Sequence, residues 1–167
     1  MADETYPWSG QFTDLTAPEQ LAAAELVVRG KAVIGTVDEL LARLRRTRCV
    51  ALLRETAGGR IVAMAALKQP AATYRRGNFT AAGVPIAAFE AAPELGYVVI
   101  APDMRGKQLS GGLVDTIVAQ ITEPTFATTD SPTMRNNLKR SGFIRIGNEW
   151  QGKKGMLSLW IIAPRLV

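Results

Sequence analysis

Glu94 to Val114 reads ELGYVVIAPDMRGKQLSGGLV. An apolar run, Leu95 to Ala101, stops at Pro102, passes through a short turn with Arg105 and Gly106, and enters a segment carrying Leu113, Val114, Ile117, Val118 and Ile121 at helical spacing. The pattern predicts a strand, a turn and a helix. A strand that feeds a helix N-terminus aims several unpaired backbone amides, and the positive end of the helix dipole, at one point. Such a point suits an anion.

Outward from this unit the elements alternate. Thr16 with Glu19 and Thr36 with Glu39 are T-x-x-E capping boxes, so two helices are expected first, one running to Gly30 and one carrying Leu40, Leu41 and Leu44. Cys49 to Arg54 and Ile61 to Leu67 are β-rich runs separated by ETAGGR, whose Gly58-Gly59 pair signals a hairpin. Gln69 to Pro93 is rich in Ala, Pro and Gly without a clear period; it reads as a long excursion with a short strand at Val84 to Phe89. Downstream, Thr125 to Thr128 is a strand, and Ser131-Pro132 caps a helix that runs to Gly142. Strands near Phe143 to Gly147 and Met156 to Ile162 close the chain across QGKKG. The expected order is ααββ, βαβα, ββ.

Composition removes several chemistries. The 167 residues contain no histidine and one cysteine, so His-dependent acid/base and triad catalysis, imidazole metal ligation and an internal disulfide are excluded. Cys49, in the apolar run CVALL, reads as a buried strand residue. The formal charge is +5, but the basic residues are scattered, which argues for solvated faces and one anionic ligand rather than a nucleic-acid groove. The length and the 47% hydrophobic content fit one globular domain spanning 1–167. The acidic start MADETYPW and the lack of any apolar run near membrane-span length point to a cytoplasmic protein with no membrane partner.

The Glu94–Val114 stretch resembles the acyl-CoA signature of the GNAT superfamily of N-acetyltransferases, and TDSPTMRNNLKRSGF, Thr129 to Phe143, resembles that family's next strand-helix unit, which ends in Gly-Phe. The resemblance implies an α/β (α+β) fold: a mixed, mostly antiparallel sheet of about six to seven strands flanked by about four helices. It implies acetyl-CoA as co-substrate, no metal, and acetyl transfer to a primary amine by direct attack, the acceptor being a small molecule or a peptide. The excursion at 69–93 then lies near the acceptor side. By position the pantetheine strand is Val98, Val99 and Ile100. The pyrophosphate loop is Arg105, Gly106, Lys107, Gln108, Leu109 and Ser110, with Gly111 following.

Two places depart from the family pattern. Aligned on Arg105, the signature's small residues fall on Gln108 and Ser110; aligned on Gln108, Gly111 matches but Leu113 takes the last small position. The first register keeps the distance from Pro102 to the helix. Phosphate is held by amides, which Gln and Ser possess, although a side chain at Gln108 obstructs close approach. The tyrosine that many members place four residues before the Gly of Gly-Phe is Leu138 here. For the acid, water, Tyr97 or no group at all stay open.

The resemblance makes Glu94 the first candidate for the base that takes the amine proton, with Glu90 in reserve; the structural alternative is a carboxylate that only flanks a strand end. Arg75 and Arg76, on the excursion, are read as the group that grips an acidic acceptor, the alternative being that both are solvated or pair with Glu90 and Glu94. GNEWQGKK, Gly147 to Lys154, nearly spells a Walker loop but has Lys154 in place of the magnesium-binding hydroxyl, and strand follows it. A GNAT-fold module that holds acyl-CoA without turning it over is the competing reading, motivated by Leu138 and Gln108. A homodimer stays open.

Overall fold

The structure, a computed structural model, describes residues 4–31 and 33–164. The first three residues of MADETYPW lie outside them. Seven strands form one sheet in the order β1-β2-β3-β4-β5-β7-β6. They are β1 (Tyr6–Gly10), β2 (Cys49–Arg54), β3 (Ile61–Lys68), β4 (Glu94–Ile100), β5 (Thr125–Thr129), β6 (Ile144–Gln151) and β7 (Met156–Ile162). Among the described residues five α-helices accompany them: α1 (Ala17–Arg29), α2 (Val37–Leu44), α3 (Ala72–Ala82), α4 (Leu109–Val118) and α5 (Pro132–Arg140). The β1–β2, β2–β3, β5–β7 and β6–β7 ladders are antiparallel, and β4 meets β5 in parallel. The α/β class expected from the sequence is the class observed.

The chain folds as two compact units, Met1–Lys68 with Gly96–Gln120, and Gln69–Leu95 with Ile121–Val167. In the first, both capping boxes close as their spacing requires. Glu19 N–H donates to Thr16 Oγ1 (3.3 Å) and Thr16 N–H to Glu19 Oε1 (3.2 Å); Glu39 and Thr36 repeat the exchange at 3.2 and 3.1 Å. The two boxes satisfy amides that a helix start leaves unpaired. Strand β3 is buried on consecutive residues from Ile61 to Leu67, so both its faces are covered, and α1 and α4 pack on it. Cys49 is buried as expected, and burial pushes its thiol pKa up. Strand β1 was not foreseen. Its sequence YPWSG has a proline, a serine and a glycine where strand formers are usual; the ladder from Tyr6↔Arg54 to Gly10↔Val50 makes it a strand.

The second unit corrects the excursion. Residues 72–82 form α3, and 84–89 contain no strand. The buried residues of α3 are Arg75, Phe79 and Ala82, a helical stripe whose first place is taken by a cation, so a search for apolar periodicity passes over it. The expected strand instead holds turns closed by Val84 N–H to Phe79 O (3.1 Å) and Phe89 N–H to Ile86 O (2.8 Å). Phe79 packs on Phe89 and Phe126 with ring centroids 5.7 and 5.6 Å apart, forming a small core with Leu159. Strand β6 runs further than its expected end at Gly147, because a bulge between Ile146 and Trp150 lets pairing resume. Gly147 takes φ +70° there, and a Cβ would lie 2.4 Å from the Ala82 carbonyl oxygen. Only glycine fits that turn against the end of α3.

Candidate functional site

Strand β4 is not regular. Tyr97, inside it, has φ +52°, a left-handed conformation that costs an aromatic L-residue on the order of 1–3 kcal/mol and interrupts the strand's pleat. Lys68 Nζ stands 4.6 Å from the Tyr97 ring centroid. Past the kink, Val98 and Ile100 are half-buried and Val99 is buried. The strand ends where Ala101 N–H donates to Val62 O (2.8 Å), and Pro102–Met104 make one 3-10 turn with Met104 turned into the core.

The turn delivers the chain into the loop. Arg105 is extended, Gly106 has φ +82°, and Gln108 has φ +59° and ψ +33° before α4 begins at Leu109. Left-handed geometry at Gly106 and again at Gln108 curls this backbone sharply, the kind of turn in which successive amides make an anion-binding nest. Gln108, at the N-cap, makes no side-chain capping bond, and the first turn of α4 contains no acidic residue. Amides of Leu109, Ser110 and Gly111 therefore begin the helix without a side-chain cap from Gln108 or a local carboxylate. Arg105 and Lys107 add positive charge from exposed positions. Leu113, Val114 and Ile117, fully buried one turn further on, anchor the helix.

One acid stands close by in sequence, and it is neutralised. Asp103 accepts from Arg60 Nη1 at 3.2 Å and Nη2 at 2.7 Å, while Arg60 Nε reaches Glu55 Oε2 at 3.3 Å. The guanidinium holds the Asp103 carboxyl below its usual pKa. This fork ties the β2–β3 hairpin to the turn ahead of the loop. Nothing in the one-dimensional pattern pairs Arg60 with Asp103, and the φ of Tyr97 has no sequence signal either.

In the second unit, Glu94 is 4% exposed and stands opposite Phe126 in the parallel bridge between β4 and β5. Phe126 N–H donates to Pro93 O (3.1 Å), which fixes the backbone just ahead of Glu94. Glu90 is exposed. The expected arginine pair divides. Arg76 is exposed, but Arg75 is 5% exposed and its guanidinium donates to Ala92 O (2.8 Å), Glu90 O (2.8 Å) and Pro70 O (3.2 Å). Each guanidinium nitrogen of Arg75 donates to a carbonyl of its own segment, so the side chain is not the solvated group that one reading of the sequence expected. Leu138 is fully buried, so the place of the family's tyrosine is core. Gly147–Lys154 is strand β6 and the turn after it, with no helix following. Trp150 packs on the Phe79 core, and Trp160 donates through Nε1 to Ser158 Oγ (2.8 Å). Among the described residues, no group of three or more His, Cys, Asp or Glu is placed to hold a metal, and no helix is long and apolar enough to cross a membrane.

The fold of this chain is shared with solved structures. An acyl-CoA N-acyltransferase from Pseudomonas aeruginosa superposes over 96% of this chain and 100% of its own, with TM-score 0.66 at 14% identity. The chain has the GNAT fold. A GNAT-family acetyltransferase from Streptococcus agalactiae 2603 matches over 98% of this chain and 100% of its own, TM-score 0.68 at 9% identity. The NatC complex bound to Gag peptide and CoA contains a chain matching over 97% of this one and 99% of its own, TM-score 0.64 at 11% identity. No family model matches the sequence, and no curated protein matches it significantly. The GNAT fold is thus evident in three dimensions at 9% to 14% identity.

Proposed function

We propose that the chain acts as one domain that transfers an acetyl group from acetyl-CoA to a primary amine. The observation that supports this best is the Arg105–Gly111 loop: two left-handed turns, a helix start without acidic residues and two exposed cations, at the end of a kinked strand in a GNAT fold. In this reading the loop amides and Arg105 and Lys107 bind the pyrophosphate of CoA, and the backbone of Val98, Val99 and Ile100 pairs with the pantetheine arm. The amine nitrogen attacks the thioester carbon, and strand amides stabilise the oxyanion of the tetrahedral intermediate. The C–S bond then breaks. CoA leaves as a thiolate, tolerable without a strong acid because a thiol pKa is about 8.5. Glu94, directly or through water, takes the proton that the amine must lose.

A second reading has its own observations. Leu138 in the core removes the hydroxyl that would protonate the leaving thiolate, and Gln108 strains the loop, as a protein that binds acyl-CoA without turnover would tolerate. An acetyl-CoA turnover assay across an amine library, with thiol release followed and products identified by mass, separates the two. Acetylated product supports the transferase. Saturable acetyl-CoA binding with no product from any amine leaves the binding module, and no binding removes both.

A further inference from the structure

We infer that Arg75 is a positioning residue for Glu94. It holds the entry to β4 in the geometry that presents the carboxylate, an inference that rests on the transferase reading above. Arg75 sits in the first turns of α3, where its own N–H donates to Ala71 O (3.0 Å), so its backbone is fixed by the helix. From there the guanidinium takes Pro70 O at the start of the 69–93 segment and Glu90 O and Ala92 O at its end. A single side chain therefore fastens both ends of the segment together. Ala92 is itself buried, so loss of the guanidinium would leave its carbonyl without this donor inside the protein, a cost that backbone movement would relieve.

Glu94 follows two residues after Ala92, and Pro93 between them is tied to Phe126 by the 3.1 Å bond. The backbone into Glu94 is thus held at Ala92 by the guanidinium and at Pro93 by β5. Displacement at Ala92 is passed on to the carboxylate, because a proline has no free φ to absorb it. The planar fork of arginine suits three carbonyls in fixed directions; an ammonium at the same place carries the charge without the geometry.

The test is Arg75→Ala in the full chain, after the parent's turnover and its dependence on Glu94 have been measured. Losing a group that only aims a base should lower kcat by about 10- to 100-fold and leave the dissociation constant of acetyl-CoA within about 3-fold. Guanidinium ion at millimolar concentration should restore part of kcat, and methylammonium should not. Arg75→Lys, a second variant should Arg75→Ala fail to fold, should also lose kcat with acetyl-CoA affinity kept. An unchanged kcat, or acetyl-CoA affinity lost in parallel with no recovery in guanidinium, overturns the inference. If the parent itself turns over no amine, the transferase reading falls. The positioning is then read from amide hydrogen exchange across 90–95: acceleration in Arg75→Ala reversed by guanidinium supports it, and unchanged exchange overturns it.

Discussion

Gly30, at the end of α1, lies so close to Val99 of β4 that a Cβ on it would come 2.1 Å from Val99 Cγ2. Valine is stiff at χ1, so the contact cannot be relieved by a rotamer change alone. Gly30→Ala is expected to destabilise the fold by about 1–3 kcal/mol, the usual cost of overpacking. Val99 is in the strand proposed to pair with pantetheine, so CoA affinity should fall as well. Urea unfolding and calorimetry check both; equal unfolding midpoints for variant and parent would show that α1 does not press on β4.

The loop makes opposite predictions at its two left-handed positions. A Cβ at Gly106 would meet nothing within 4 Å, so only its φ of +82° requires glycine. Gly106→Pro, with φ locked near −65°, should therefore weaken CoA binding. Gln108 pays about 1 kcal/mol or more for its left-handed φ. Gln108→Gly should bind CoA equally or better. A large loss of affinity in Gln108→Gly, measured by calorimetry, would mean that the glutamine side chain itself contacts the ligand.

For Glu94, replacement by glutamine keeps the size and removes the base. Turnover should fall by about 10² to 10⁴, with acetyl-CoA affinity little changed. Equal rates for Glu94→Gln and the parent would shift the role to Glu90 or to water.

Acid stability should depend on Glu19. Its carboxyl is held below the ordinary value of 4.5 first by the hydrogen bond from Arg54, then by the Thr16 backbone and hydroxyl. A carboxylate whose folded pKa is depressed stabilises fully above its unfolded pKa and loses that contribution as pH falls through the folded value. The melting temperatures of Glu19→Gln and the parent should therefore differ at neutral pH and converge below the ordinary carboxylate range. A gap that stays constant from neutral to acid pH would count against the Arg54 pairing.

With Arg75 engaged by carbonyls, Arg76 is the member of the pair exposed for an acceptor. If it grips a negatively charged group, Arg76→Ala should raise the Michaelis constant of an acidic acceptor several-fold, by about the 1 kcal/mol of an exposed ion pair. An unchanged constant would make Arg76 a solvated surface residue.

The sequence by itself determined what depends on local chemistry. T-x-x-E boxes placed both early helices, Gly58-Gly59 placed the hairpin, and apolar runs with caps placed β4, β5 and α5 within a residue or two; α4 stops at Val118, short of the Ile121 that its apolar spacing had included. The strand-loop-helix pattern at Glu94–Val114 also located the turn for which anion binding is proposed, and carried the GNAT resemblance. Only the tertiary structure decided the rest. YPWSG becomes β1 because β2 offers it a ladder, and α3 is a helix whose buried stripe begins with a cation. Arg75 reads as surface charge in one dimension because the carbonyls that receive it, on Pro70, Glu90 and Ala92, come together only when the segment closes on itself. Likewise, no residue type announces the left-handed turn at Tyr97 or Gln108; a strained φ in a non-glycine residue is held by its surroundings, and those exist only in the folded chain.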